Sequence, residues 1–208
     1  MSPPLIRQLK LQNFLSYGPA GMSVDLLPLN VLIGPNASGK SNLLEALALL
    51  RAAPNDLQSA IREGGGFGEY LWKGQQSVRR AQIHTTVARA APGIQANLRH
   101  SIVLLQVGTR FDIGMEFIGM GTPDDPMLIP VYLGEDGSAT MFARDPKGPT
   151  EEMPLVDLKA SQSILAQRRD PDRFPEVTFL ADEFAKITLF REWTFGGRSA
   201  ARLPQATD

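Results

Sequence analysis

The chain has 208 residues, of which 43% are hydrophobic and 21% charged, a composition typical of a folded globular domain and not of a disordered chain. Its formal net charge of −1 argues against a strongly basic nucleic-acid-binding protein, and the lack of cysteine excludes disulfides and thiolate metal sites. The two histidines argue against a histidine-built metal centre. Since no signal peptide or membrane-length apolar run is visible, the sequence predicts a cytoplasmic protein without membrane contact.

Three short strands are predicted at the start of the chain. Leu9 and Leu11 alternate with polar neighbours, which is the pattern of a half-buried strand. The segment GMSVDLLPL, residues 21–29, is predicted to be a second strand, and residues 31–33 a short buried third strand.

A glycine-rich loop follows, and residues 34–41, GPNASGKS, match G-x-x-x-x-G-K-[ST] at every specified position. Phosphate oxygens need converging backbone N–H donors, and a glycine-rich loop before a helix N-terminus supplies them. Lys40 is predicted to contact the β- and γ-phosphates and the Ser41 hydroxyl to ligate Mg²⁺. The predicted ATP-binding residues are Gly34, Pro35, Asn36, Ala37, Ser38, Gly39, Lys40, Ser41 and Asn42.

The context of the loop supports nucleotide binding. After it, Leu43, Leu47 and Leu50 recur at helical spacing, and Pro54 is expected to end the helix, so residues 30–52 form a loop-and-helix unit. The competing interpretation is a strand-to-helix turn without a ligand. The loop predicts binding of ATP or GTP. Residues 145–148 match the D-x-x-G of GTPases, but we interpret them as a loop and not a switch, because no N-K-x-D motif is present to recognise guanine.

The middle of the chain is predicted to be rich in antiparallel strands, over residues 78–143. Alternation is clear over 80–87 and cleanest over 110–117, and turns at 107–109 and 134–138 predict two hairpins. Strands this close along the chain must pair antiparallel.

The last part is predicted to be helical and then to form a final strand, over residues 155–195, with an irregular tail at 196–208. A helix is expected over Leu155–Gln167, a second beginning at Pro175, and a strand in ITLFREWTF, residues 187–195.

The stretches LKLQNFLSYG and LNVLIGPNASGKSNLLEALALL resemble the start of RecF/SMC-like ABC-type ATPases of the AAA group, and later segments are similar to bacterial predicted ATPases of this superfamily. The resemblance implies an α/β P-loop NTPase head lobe with a strand-rich antiparallel insert, incomplete without a C-terminal half. It also implies ATP and Mg²⁺ as cofactors, a homodimer when complete, and DNA or an effector protein as partner.

Two motifs that the resemblance requires are missing from the sequence. We find no signature loop, and VTFLADEF, residues 177–184, only superficially resembles a Walker B strand ending in Asp182-Glu183. Val177, Leu180 and Phe184 have helical spacing, so we interpret Asp182 and Glu183 as solvated helix residues. The chain is therefore expected to bind ATP with little hydrolysis.

Weaker candidates have simpler explanations. Gln106 and Gln162 could lie near Mg²⁺, but a polar position at the edge of an element explains both glutamines better. Phe14 and Tyr17 could pack near adenine, but core packing is the better explanation of Phe14. His84 lies on the polar face of its predicted strand.

Three functions remain open on the sequence. The first is an ATP-driven, dimerising switch, and the second is a small-molecule or nucleotide kinase of the P-loop class. Against the kinase stands the long hairpin region after the P-loop helix. The third is a binding or assembly module without turnover.

Overall fold

A computed structural model describes residues 5–74, 79–91, 94–121, 128–143 and 151–190. The strands are β1 (Ile6–Gln12), β2 (Met22–Asp25), β3 (Arg80–Ala91), β4 (Ile94–Val107), β5 (Arg110–Gly121), β6 (Ile129–Glu135), β7 (Ser138–Ala143) and β8 (Glu151–Pro154). The helices are α1 (Lys40–Ala52), α2 (Leu57–Glu63), α3 (Phe67–Tyr70), α4 (Ile164–Gln167) and α5 (Pro175–Ala185). In the described ranges, no helix is long and apolar enough to cross a membrane.

All eight described strands form one sheet in the order β2-β1-β3-β4-β5-β6-β7-β8, and every pairing is antiparallel. Both predicted hairpins are confirmed, since Val107 pairs with Arg110 and Glu135 pairs with Ser138. Gly137 occupies the second hairpin turn with φ of 83°, a left-handed conformation that glycine adopts without strain.

The core lies between one face of this sheet and helices α1, α2 and α5. Leu49 and Leu50 of α1 meet Ile83 of β3 and Leu104 of β4, and all four side chains are almost fully buried. The helices therefore cover the inner face over the centre of the sheet, where their apolar residues are removed from water.

Helix α5 is the segment whose sequence resembles a Walker B strand, and the helical interpretation is confirmed. Pro175 occupies its first turn, while Val177, Leu180 and Phe184 are fully buried on one face. Asp182 is exposed on the same helix. Glu183 forms an ion pair with the exposed Lys186, in which 2.6 Å separate Glu183 Oε1 from Lys186 Nζ.

A β-bulge at Gly114 interrupts the most regular alternation in the sequence. Val103 of β4 pairs with Met115, but the next residue, Leu104, pairs with Ile113, so Gly114 is an extra residue on β5. A side chain at 114 would collide with Leu105, because an added Cβ would lie 2.3 Å from Leu105 Cδ1. A residue with a side chain therefore fits at the bulge only if the half-buried Leu105 side chain moves.

The bulge changes which residues of β5 face the core. Phe111 is buried on the helix side, whereas the half-buried Phe117 lies on the opposite face with Met115. The expectation that these residues continue one alternating pattern is wrong, because the extra residue shifts the phase. As a result, Glu116 points inward and is only 2% exposed.

Buried Glu116 joins β4 and β5 to the segment before α4. Its Oε1 accepts hydrogen bonds from Ser163 Oγ at 2.6 Å and lies 2.8 Å from His100 Nε2, and its Oε2 accepts from the Ile164 amide at 2.8 Å. His100 also makes an edge contact with the Phe184 ring. The polar cluster thus connects the sheet with α4 and α5.

Tyr132 of β6, 4% exposed, has a pKa raised above its ordinary value by burial and, second, by the charge of Glu116. A tyrosine that ionises later when folded contributes stability that is fully present below the unfolded pKa of about 10 and is lost as the pH rises above it. We therefore expect the unfolding free energy of the wild type to fall more steeply than that of Tyr132→Phe above about pH 10, measured by urea unfolding. Parallel curves would contradict this expectation.

In the last part of the chain, two predicted elements differ in the structure. The helix expected over Leu155–Gln167 is confined to Ile164–Gln167, because Leu155 donates its amide to Ala139 O and Ala160 O accepts from the Ile113 amide. These hydrogen bonds hold residues 155–160 against the sheet. The strand expected over 187–195 is absent from 187–190, and residues 191–195 and the tail lie outside the described ranges.

Candidate nucleotide-binding site

The loop at residues 34–41 leads directly into α1, as predicted. Gly39 is the N-cap, with φ of 93° and ψ of 0°, so the chain turns through a left-handed conformation before the helix. The amides of a helix's first turn have no acceptor within the helix, and here they lie at the end of the loop. Their partial positive charge favours an anion.

The side chain of Lys40 folds back across the loop. Its Nζ donates to Gly34 O at 2.7 Å, to Pro35 O at 2.6 Å and to Ser38 Oγ at 3.2 Å. The ammonium group is thereby held on the loop side of α1 and adds a full positive charge to the helix dipole. Ser41, the next residue, is exposed.

The segment between β1 and β2 holds the far end of the loop. Tyr17 Oη donates to Gly39 O at 2.8 Å, and Asn42 Nδ2 donates to Ser16 Oγ at 2.7 Å. Burial raises the pKa of Tyr17, which keeps the phenol protonated and able to donate. Sequence reasoning connected Tyr17 with adenine and did not identify Ser16 or this contact with the loop.

The buried strand predicted at residues 31–33 is not formed. Val31 is 73% and Ile33 is 91% exposed, and no β-pairing involves this stretch in the ranges that the structure describes. An apolar segment becomes a buried strand only where neighbouring strands lie on both sides. In the described sheet, β1 pairs with β2 and β3, and no strand pairs with residues 31–33, which are irregular.

The other sequence candidates do not converge on the loop as a set. Phe14 is fully buried and packs against the Tyr70 ring in a tilted arrangement, which confirms core packing. The backbone N–H of Gln106, at the end of β4, donates to the backbone O of Arg79. The backbone O of Gln162 accepts from the side chain of Gln167. Among the described residues, no group of three or more His, Asp or Glu side chains could hold a metal ion.

Gly39 should be intolerant of substitution for two separate reasons. An added Cβ would lie 2.9 Å from both Ser16 Oγ and Tyr17 Oη, in addition to the strain of the positive φ. The strain alone costs about 1–2 kcal/mol of unfolding free energy. We expect Gly39→Ala to lower the unfolding free energy by more than this amount and to weaken ATP binding.

The matched control is Gly137→Ala, where φ is 83° and nothing lies within 4 Å of the added Cβ. It should show the strain alone, without the collision and without any effect on ATP binding. Urea unfolding and calorimetric titration measure the two effects, and equal losses in the two variants would contradict the proposed clash.

Comparison with known protein families gives a match that includes the loop at residues 34–41. Residues 29–82 match the family model described as "AAA domain, putative AbiEii toxin, Type IV TA system". The chain is 28% identical over 167 residues to proteins named "DNA replication and repair protein RecF" from Bacillus thuringiensis (strain Al Hakam) and Bacillus cereus (strain B4264), covering 78% of this chain and 42% of each relative. The chain therefore spans about two fifths of the length of these relatives.

A solved structure described as "Structural biochemistry of ATP-driven dimerization and DNA stimulated activation of SMC ATPases" aligns with a TM-score of 0.38 and 18% identity, over 52% of this chain and 72% of that chain. The mixed α/β arrangement found here, with its eight-stranded antiparallel sheet, fits a P-loop NTPase-like fold as predicted. The matched family model and the similarity to the RecF relatives support the resemblance of this chain to RecF/SMC-like, AAA-type ATPases that its residues indicate.

Proposed function

We propose that residues 34–42 bind ATP together with Mg²⁺ as the nucleotide-binding lobe of a RecF/SMC-like ATPase. The observation that carries the proposal is the complete G-x-x-x-x-G-K-S loop, which ends in a left-handed Gly39 at the start of the 13-residue helix α1. This arrangement directs backbone amides, a helix dipole and an ammonium group toward one place.

The residues present fit the two cofactors. The loop is exposed from Gly34 to Ser38, so its backbone is accessible to a triphosphate, and the contacts of Lys40 with the loop keep its charge beside it. The exposed Ser41 hydroxyl offers Mg²⁺ the hard oxygen ligand that this cation prefers. When bound, Mg²⁺ would offset the negative charge of the phosphates.

Hydrolysis by this chain alone should be slow. Asp182 and Glu183, the only Asp-Glu pair of the sequence that follows an apolar run, belong to helix α5 and not to a strand end. Charge-stabilising and water-orienting groups each contribute orders of magnitude to phosphoryl transfer. A loop without them is expected to bind nucleotide and turn it over poorly.

The complete protein is proposed to work as an ATP-dependent homodimer that acts on DNA or on an effector protein. The support is the likeness to the RecF relatives, whose name refers to DNA replication and repair, over about two fifths of their length. In this proposal, ATP binds at the loop of one copy, and groups of a second copy complete its binding site. ATP binding would therefore change the association of the two copies.

Isothermal titration calorimetry with ATP and Mg²⁺ tests the binding proposal, with phosphate release followed in the same samples. We expect saturable binding, negligible release, and a weaker dependence on Mg²⁺ in Ser41→Ala. The wild type showing no binding would overturn the proposal. Phosphate transfer to an acceptor would instead identify a kinase, although the antiparallel strands after α1 do not favour one.

Light scattering with and without ATP tests the dimer proposal on the full-length protein. A rise in mass that needs ATP and Mg²⁺ is the expected result. A mass that is unchanged by nucleotide, at concentrations that saturate the loop, would contradict it.

A further inference from the structure

The sheet face opposite α1, α2 and α5 carries a row of polar and aromatic residues across four strands. The β-pairings align Lys10 with His84, His84 with Ser101, and Ser101 with Phe117. Directly paired residues point to the same face, and neighbouring strands are about 4.8 Å apart, so the row is continuous. His84 Nδ1 lies 2.8 Å from Ser101 Oγ, which fixes the middle of the row.

A second row runs beside it. Gln8 pairs with Thr86, Thr86 with Arg99, and Arg99 with Gly119. All residues of the two rows except Gly119 line a cavity of about 350 Å³ on this face, together with Thr85 and Leu128. The Arg99 side chain therefore lies diagonally beside Phe117.

The ring of Phe117 extends toward Gly119, the residue two positions on, which has no side chain. A Cβ added at Gly119 would come within 2.6 Å of Phe117 Cζ and 2.8 Å of Cε1, so the ring occupies the space that a side chain at 119 would fill. The ring is half-buried and lies over the backbone of Gly119. Phe117 lines the cavity together with Leu128, so it supplies this site with an aromatic ring, a group that can stack against a planar ligand.

The charge of the cavity is positive. Its lining contains Lys10 and Arg99 and no acidic residue, and neither cation has an ion-pair partner among the residues that the structure describes. The nearest acid in the pairing, Asp25, accepts a hydrogen bond from Gln8 at 2.7 Å. Burial lowers the pKa of His84, with the charges of Lys10 and then His100 as further causes, so His84 serves here as a neutral hydrogen-bonding group.

From these positions we infer that this face is a second binding site, separate from the loop at residues 34–42, for a nucleotide unit. The base stacks on Phe117, the phosphate pairs with Arg99 and Lys10, and Ser101 and Gln8 offer hydrogen bonds. Sheet-borne aromatic rings beside basic side chains bind single-stranded nucleic acid in this manner. The unit can come from a single strand or from a free nucleotide.

Fluorescence anisotropy with a labelled oligothymidylate of about 15 nucleotides tests the site at low salt, where phosphate contacts are strongest. Thymidine monophosphate serves as competitor and, in calorimetry, as the second probe. Binding of the oligonucleotide identifies a single strand as the source, and binding of the monophosphate alone identifies a free nucleotide. Binding of neither probe overturns the inference.

The decisive variant is Lys10→Gln with Arg99→Gln. Its matched control is Arg51→Gln with Arg110→Gln, which removes the same charge from exposed residues outside the cavity. We expect the cavity variant to bind at least about tenfold more weakly and the control to change less than about twofold. Equal weakening in both would show a diffuse charge effect and would overturn the site.

Phe117→Leu separates stacking from charge, since it keeps the net charge and removes the ring. Stacking on an aromatic side chain contributes a factor of about 5 or more per base, so a loss of that size is expected. Lys40→Ala should leave binding of both probes unchanged, because this site does not use the loop. Binding that is lost in Lys40→Ala and kept in Phe117→Leu would assign the probes to the loop and overturn the inference. Thermal unfolding confirms that each variant is folded.

Discussion

Glu116→Ala is expected to lower the unfolding free energy by about 3–5 kcal/mol, because it removes the acceptor of a fully buried polar cluster. Glu116 is 2% exposed, and Ser163 Oγ, the Ile164 amide and His100 Nε2 all contact its two oxygens. Truncation leaves these buried groups without their partner, and each unsatisfied group costs about 1–3 kcal/mol. A cavity of the size of the lost side chain adds to the loss.

Glu116→Gln is the informative companion, since it keeps the volume and an acceptor oxygen. The amide oxygen can accept from the Ile164 amide while its NH₂ group donates toward Ser163 Oγ. We therefore expect a loss of about 1 kcal/mol, well below that of alanine. The exposed pair of Glu69 and Lys73, both side chains 63% exposed, provides the surface control, where Glu69→Ala should change stability by less than about 1 kcal/mol.

Urea unfolding followed by circular dichroism measures this series. The order alanine, glutamine, surface control is the prediction. A Glu116→Ala protein as stable as the wild type would show that the cluster is not coupled to the fold, and a glutamine variant as unstable as alanine would show that the carboxylate charge, not the hydrogen bonding, is what matters.

Lys40→Ala is expected to weaken ATP binding by roughly 10- to 100-fold while leaving the fold intact. A hydrogen bond to a charged group contributes about 1.5–3 kcal/mol, and each 1.4 kcal/mol corresponds to a factor of ten in affinity. Stability should change little, because the three hydrogen bonds that Lys40 makes with the loop are exposed. Calorimetric titration with ATP and Mg²⁺ measures the affinity.

Lys159→Ala is the matched control for that experiment, since Lys159 is an exposed lysine remote in sequence from the loop. It loses the same charge and should bind ATP as the wild type does. Lys40→Arg keeps the charge but not the fit to the loop carbonyls, so an intermediate affinity is expected. ATP affinity that is the same in Lys40→Ala and in the wild type would argue that the triphosphate binds elsewhere.

The parts of the fold that could be predicted are those in which a short stretch determines its own structure. The loop and α1 follow from glycine and lysine spacing and from Leu43, Leu47 and Leu50 one turn apart. The two hairpins follow from their turn residues. Helix α5 follows from the helical spacing of its apolar residues, even though its sequence resembles a strand that ends in Asp-Glu.

The predictions that were wrong concern segments whose structure depends on contacts with residues distant in sequence. Residues 155–160 have helical spacing, but hydrogen bonds of Leu155 and Ala160 to the sheet override it. Residues 31–33 are apolar enough for a buried strand, but a strand needs neighbours that only the tertiary structure supplies. Within the candidate site, the contacts of Ser16 and Tyr17 with the loop join residues more than twenty positions apart, and no pattern in the sequence signals them.

The bulge at Gly114 also has a consequence for how this strand tolerates insertion and deletion. Ile113 faces the core and Met115 the opposite side, so removing residue 114 would leave a strand that alternates without interruption. Phe111 and Glu116 would keep facing the core, and Phe117 would keep its place on the outer face. A lineage lacking this glycine would show a one-residue gap in the middle of a central strand, where gaps are usually least tolerated, yet would retain the same inward and outward residues. Substitution of Gly114, in contrast, would keep the extra residue and would require the Leu105 side chain to move.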